Sequence, residues 1–202
     1  QGNNGTLTNG PTRAIGRIGQ ALSFDGVNDS ISMGVPGSLA NISSGGITVS
    51  SWIRPNSMGA GGRGRILDKT LTTDPDGGWI FLLGLAGSNG TFAFSNGTAG
   101  SAVERVSAVG TIKFGQWQHV VATFDGQALQ TGIRLYYDGI EVAYGAGGNN
   151  GTLPIDNDST YDLLIGNDTD NTRTFDGAID DVRIYTRALS ADEIKRLYNM
   201  GR

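Results

Sequence analysis

Eight aspartates crowd the stretch from Asp156 to Asp181, at positions 156, 158, 162, 168, 170, 176, 180 and 181, and Arg173 is the one base among them. Oxygen ligands massed without neutralising lysines suit Ca²⁺, which takes roughly six to eight oxygens, many of them carbonyls of glycine-rich loops. Aspartate also favours turns for its own sake, and Asp176-Gly177 reads as an ordinary turn. An EF-hand is excluded. Counted from Asp156, the sixth position is Tyr161 and the twelfth Asn167, where that loop requires Gly and Glu.

Catalytic side chains are scarce. His119 is the only histidine and sits between Gln118 and Val120 in an apolar run, a setting for a satisfied structural imidazole rather than a general base. No Gly-x-Ser-x-Gly elbow is present. The three glutamates, Glu104, Glu141 and Glu193, cannot be assembled with a second acid into the paired carboxylates of a glycosidase. Asp180 and Asp181 are adjacent, so a strand sends them to opposite faces: Asp180 with Val182 and Ile184, Asp181 with Arg183 and Tyr185. Arg183 is then an alternative to a cation as the partner of Asp181.

Sugar recognition makes a different demand, an aromatic platform with planar polar groups held beside it. The candidates are Trp79, Tyr144, Arg63, Asp68, Lys69, Arg105 and Asp168, with Arg65 next to them. Trp52 and Trp117 stand in period-two apolar runs and are assigned to the core. Trp79 follows the loop Asp74-Pro75-Asp76-Gly77-Gly78 and fits a rim or the core equally. The Gly59 to Arg65 segment lacks the Gly-Lys-Ser/Thr ending of a phosphate loop and reads as a flexible connection.

The elements that must position these residues are strands. Apolar residues recur mostly every second position, in short runs cut by Gly, Asn and Asp. Strands are expected at 21–24, 30–33, 47–54, 79–85, 91–94, 117–124, 134–137, 140–144, 163–166 and 178–185. Asp138-Gly139 and Asn89-Gly90 each fit a two-residue hairpin turn with both φ values positive. One helix follows Ser190, which forms a capping box with Glu193; Leu189 and Ile194 occupy the staple positions, and Gly201 reads as a left-handed stop. This helix should pack on a sheet end.

Composition agrees. Glycine and proline supply 33 and 5 of 202 residues, far more than helices tolerate, while 38% apolar content is enough for one large core. A net charge of −4 argues against nucleic acid as a partner. The absence of Cys removes disulfides and thiolate chemistry and leaves the redox compartment open. No run approaches a membrane span. The chain starts at Gln1 with no charged-then-apolar leader, which reads as a piece of a larger protein.

Four segments carry a resemblance: Gly19-Gln20-Ala21-Leu22-Ser23-Phe24-Asp25-Gly26, Ile47 to Pro55, Gln116 to Asp125, and Phe175-Asp176-Gly177-Ala178-Ile179-Asp180-Asp181-Val182-Arg183-Ile184-Tyr185. In order and spacing they resemble the laminin-G-like, concanavalin A-like jelly rolls of bacterial extracellular proteins, as does the ending Arg187 to Ile194. The resemblance implies one all-β jelly-roll sandwich of two antiparallel sheets over residues 1–202. It implies a structural Ca²⁺ between the Phe-Asp-Gly turn and the last strand, with Asp25, Asn28, Asp29, Asp180 and Asp181 at the matching positions. It also implies a secreted or cell-surface module that binds a glycan or cell-surface ligand without catalysis. An adhesin spacer and a polysaccharide lyase using His119 with Tyr136 and Arg134 are the alternatives; burial of His119 would dismiss the lyase.

Overall fold

The computed structural model describes residues 4–71, 76–85, 89–98, 101–146, 148–152 and 158–202. The Asp74-Pro75 part of the loop before Trp79 and the residues Asp156 and Asn157 lie outside them. The described chain forms two seven-stranded antiparallel sheets, each neighbour hydrogen-bonded to the next. In the first, the order is β1 (Thr6–Thr8), β4 (Ser30–Ser32), β13 (Leu164–Ile165), β6 (Arg65–Lys69), β7 (Asp76–Leu83), β8 (Phe92–Thr98) and β9 (Val103–Val106). In the second it is β12 (Ile140–Glu141), β11 (Ile133–Tyr137), β10 (Gln118–Phe124), β5 (Ile47–Pro55), β14 (Asp176–Tyr185), β3 (Gln20–Asp25) and β2 (Thr12–Ile15).

Alternation explains which side chains meet between the sheets. Ile47, Val49 and Ile53 of β5, with Val120, Ala122 and Phe124 of β10, face Leu67, Trp79, Phe81, Phe92 and Phe94 of the first sheet in one buried cluster. Each such aromatic or aliphatic side chain contributes about 1.5–3 kcal/mol on burial. The outer face of β5 is buried as well, because the C-terminal segment lies over it. Thr48 Oγ1 donates to the Arg187 carbonyl and accepts from the Leu189 amide, at 2.8 and 2.9 Å.

Helix α1 (Ala191–Met200) then packs on the outer face of the second sheet, with Ile194 and Leu197 against Val121 and Tyr136. Its capping box forms as expected: Ser190 Oγ accepts from the Glu193 amide and Glu193 Oε2 from the Ser190 amide. Gly201 is not left-handed, its φ being −105°. It is needed for space, since a Cβ there would lie 2.5 Å from Trp52 Nε1.

The Asp138-Gly139 turn matches the sequence reading, with φ of 50° and 79° and Tyr137 paired to Ile140. Asn89-Gly90 does not. Only Gly90 has positive φ, and the β7–β8 pairing ends at Leu83 and Phe92, so the connection is longer than two residues. Trp117 is half-buried under Arg54, whose guanidinium lies 5.3 Å from its ring, rather than in the core. It precedes β10 instead of starting it, so strand alternation no longer points it inward.

Candidate functional site

The five residues matched to a calcium site are divided by the last strand. Asp25 pairs with Asp176 across β3 and β14, whereas Asp180 pairs with Trp52. Four residues of strand separate those positions, about 13 Å at a rise of about 3.3 Å each. A bulge also intervenes: Asp181 has φ 47° and the register slips between Asp180 and Arg183. Ile179 faces the core and Asp180, opposite Trp52, the outer side; the extra residue that follows brings Val182 and Ile184 back to the core, so they do not share the face of Asp180 as simple alternation would have it. Asp180 accepts from the Ile18 and Asp181 amides, each at 2.7 Å, and both oxygens of Asp181 accept from Arg183 Nε, at 3.0 and 2.9 Å. The Asp25 to Asp29 turn stands apart from them. There Asp29 is buried, its Oδ2 accepts from the Asp25 amide, and desolvation with the nearby Asp25 charge raises its pKa. Asn28 is exposed and its carbonyl accepts from the Asn9 side chain. Among the described residues no three acidic or imidazole side chains converge on one point.

Trp79 belongs to the core and not the rim. It is fully buried, its ring stacked on Phe94 at 6.3 Å, because its register beside Lys69 and Asn96 faces it inward. Lys69 is equally buried. Its Nζ donates to the Asp158 and Tyr161 carbonyls at 2.5 and 3.3 Å and pairs with Asp158 Oδ1 at 3.3 Å, closing that end of the sandwich. Neither residue presents a surface to a ligand.

Asp68 and Asp168 are drawn together with Arg63 around Arg65. Arg65 Nε donates to Asp68 Oδ2 at 2.8 Å with both side chains inaccessible, and Arg65 also feels the charges of Arg63 and Asp168. Burial outweighs the attraction: it lowers the Arg65 pKa and pushes that of Asp68 up to about 6. Asp168 holds its own loop, its carboxylate accepting from the Thr172 amide, the Thr172 hydroxyl and the Arg173 amide. The arrangement is a buried polar strut.

Arg105 and Tyr144 meet at the sandwich edge. Arg105 Nη1 donates to the Gln130 and Ile133 carbonyls at 3.1 and 3.0 Å, tying β9 to the start of β11 across the two sheets. Its guanidinium lies 3.4 Å from the Tyr144 ring centroid. Tyr144 Oη donates to Glu141 Oε1 at 2.5 Å, and Arg134 Nη1 donates to Glu141 Oε2 at 2.9 Å. Burial and the bond to Glu141 push the Tyr144 pKa up to about 12, so the phenol remains a donor. Burial alone would raise the Glu141 pKa, yet the Tyr144 and Arg134 bonds leave it below its ordinary value and the carboxylate charged. Glu141 and Arg134 are exposed and Tyr144 half-exposed, so an aromatic ring, a carboxylate and two guanidiniums reach one surface. Glu141 was missed as a partner of Tyr144, although the Asp138-Gly139 turn sets it opposite Tyr136 on the face of Arg134.

His119 does not emerge. It is 1% exposed, bonded through Nε2 to Ser50 Oγ at 2.8 Å, and covered by Trp52 and Tyr198, which removes the lyase arrangement.

Two antiparallel sheets in this order, with a helix at the C-terminal end, define a jelly-roll sandwich. A laminin G-type model described as the Concanavalin A-like lectin/glucanases superfamily matches residues 25–195, and the chain belongs to that superfamily. No curated protein matches the chain. Among solved structures it is similar to the binding domain of Paraclostridial Mosquitocidal Protein 1, at 20% identity and TM-score 0.70, over 98% of this chain and 48% of that one. It is also similar to domain 4 of an extracellular GH43 arabinanase from Geobacillus stearothermophilus, in complex with arabinotriose, at 19% identity and TM-score 0.58, over 96% and 87% of the two chains. A third is the binding domain of botulinum neurotoxin DC in complex with rat synaptotagmin II, at 12% identity and TM-score 0.63, over 100% and 48%. The chain thus spans about half the length of the two toxin domains. Identities this low carry the fold alone. No helix among the described residues is long and apolar enough to cross a membrane.

Proposed function

We propose that the chain is a non-catalytic carbohydrate-binding module of a larger secreted or cell-surface protein, with its site at the sandwich edge. The observation that carries this is the cluster of Arg105, Tyr144, Glu141 and Arg134. A sugar offers an apolar C–H face and hydroxyls that both donate and accept; a tyrosine ring backed by a guanidinium, beside a carboxylate and a second guanidinium, complements both. The arabinanase domain with arabinotriose and the toxin binding domains support a binding role for this fold. No reaction is proposed. The test is a glycan array followed by calorimetry on any hit. Tyr144→Ala should weaken binding at least about tenfold, the loss of one stacking contact or charged hydrogen bond, with the far-ultraviolet circular dichroism unchanged. Absence of binding across the array would favour the spacer.

The structural calcium ion is retained in this proposal at the Asp25 to Asp29 turn alone. Asp25 and the buried Asp29 are brought together at that turn, and carbonyl oxygens would have to complete the shell. Asp181 is paired with Arg183, and Asp180 lies four strand positions from the partner of Asp25, so neither is placed in this site.

A further inference from the structure

A groove of about 420 Å³ runs between the β11–β12 hairpin and helix α1, and Glu141 lines it. The same Glu141 accepts the hydrogen bond from Tyr144, so the edge platform and the groove adjoin at that residue. Asp138 and Glu141 line the hairpin side; Asp192, Lys195, Tyr198 and Asn199 line the helix side, with Arg202 at its end. Asp138 and Tyr198 are held in place before any ligand arrives. Asp138 Oδ1 accepts from the His119 amide at 2.8 Å while the Asp138 amide donates to the His119 carbonyl, and the Tyr198 ring stacks on Trp52 at 5.6 Å. Preorganised side chains lose little freedom on binding.

We infer that this groove is a second subsite, extending the proposed edge site so that a neutral oligosaccharide, rather than a single sugar, is the ligand. The inference rests on the carbohydrate reading above. Over groove and platform the three carboxylates Asp138, Glu141 and Asp192 nearly balance Lys195, Arg202, Arg134 and Arg105, so neither a polyanion nor a polycation meets a strong field and a neutral ligand is suited. Carboxylates that accept, with Lys195 and Arg202 that donate and Asn199 that does both, suit hydroxyl groups. A groove of about 420 Å³ that adjoins the platform at Glu141 gives room for further sugar units beside the one on Tyr144.

Amide chemical-shift mapping of the whole chain tests this, with arabinotriose and cellotriose as probes beside arabinose, glucose and trigalacturonate. Expected are shifts at residues 138–141 and 192–199 together with 105 and 144 for a neutral trisaccharide, and at 105 and 144 alone for its monosaccharide. Asn199→Ala, at an exposed helix position, should weaken trisaccharide binding about tenfold and leave the monosaccharide unchanged. Trisaccharide shifts confined to 105 and 144 would overturn the groove and leave the edge site standing. Shifts confined to the groove would overturn the edge site instead, and stronger binding of trigalacturonate would overturn the neutral class. No shift with any probe would overturn both.

Discussion

Arg65 and Asp68 are inaccessible to water, and burial lowers the Arg65 pKa and raises that of Asp68 despite their mutual attraction. Removing one partner leaves the other buried without its ion pair. Asp68→Ala should therefore cost about 3–5 kcal/mol in urea unfolding, while the double replacement Arg65→Met, Asp68→Leu should recover most of that loss. His119 offers a pH test. Burial, helped by Arg183, pushes its pKa down to about 4 from an ordinary 6.5. Below pH 6.5 the unfolded chain takes a proton that the folded chain refuses, so this residue lowers stability progressively as pH falls to 4 and no further. The size is about 3 kcal/mol. Asp68 has the opposite sign: its raised pKa lets the folded chain bind a proton first, a gain that appears as pH falls through 6 and is complete below 3.8. His119→Gln should become more stable relative to the parent as pH drops from 6.5 to 4, and equal unfolding midpoints for the two at every pH would refute the assignment.

Among the elements, helix α1 depends on its cap at one end and on Trp52 at the other. Ser190→Ala should cost about 1 kcal/mol, read from the urea midpoint. Gly201→Ala should cost more and change the near-ultraviolet signal of Trp52, because the added Cβ meets the indole while the backbone at φ −105° accepts alanine without strain. If Gly201→Ala were neutral, the packing of the chain end on Trp52 would not be holding the helix. Strand β14 shows how one residue redirects a site: the bulge at Asp181 is what separates Asp180 from Val182 and hands Asp181 to Arg183.

For the whole molecule, a ligand of the folded state raises the melting temperature in step with RT ln(1 + [L]/Kd), so the rise grows with the logarithm of ligand concentration. Calcium at the Asp25 to Asp29 turn should raise it by several degrees in millimolar CaCl₂ over EDTA. The rise should vanish in Asp29→Asn and persist in Asp181→Ala. Equal melting in the two buffers would remove calcium from the proposal.

Local chemistry made much of the fold legible before any coordinates. The period-two runs became strands β3, β5, β10 and β14, the Asp138-Gly139 turn set the β11–β12 register, and Ser190 with Glu193 capped the one helix. Those features depend on neighbours in the chain: alternation, positive φ and a side chain reaching its own backbone. Tertiary structure decided the rest. Trp79 and Lys69 went inward and Trp117 stayed half-exposed, because burial depends on which strand faces which. Val182 and Ile184 left the face of Asp180 at a bulge that alternation does not announce. Arg105 and Tyr144, 39 positions apart, became one platform only when the edges of two sheets closed on each other. Side chains distant in sequence meet through the long-range packing of apolar strands, and that packing minimises exposed apolar surface for the molecule as a whole rather than for any one segment.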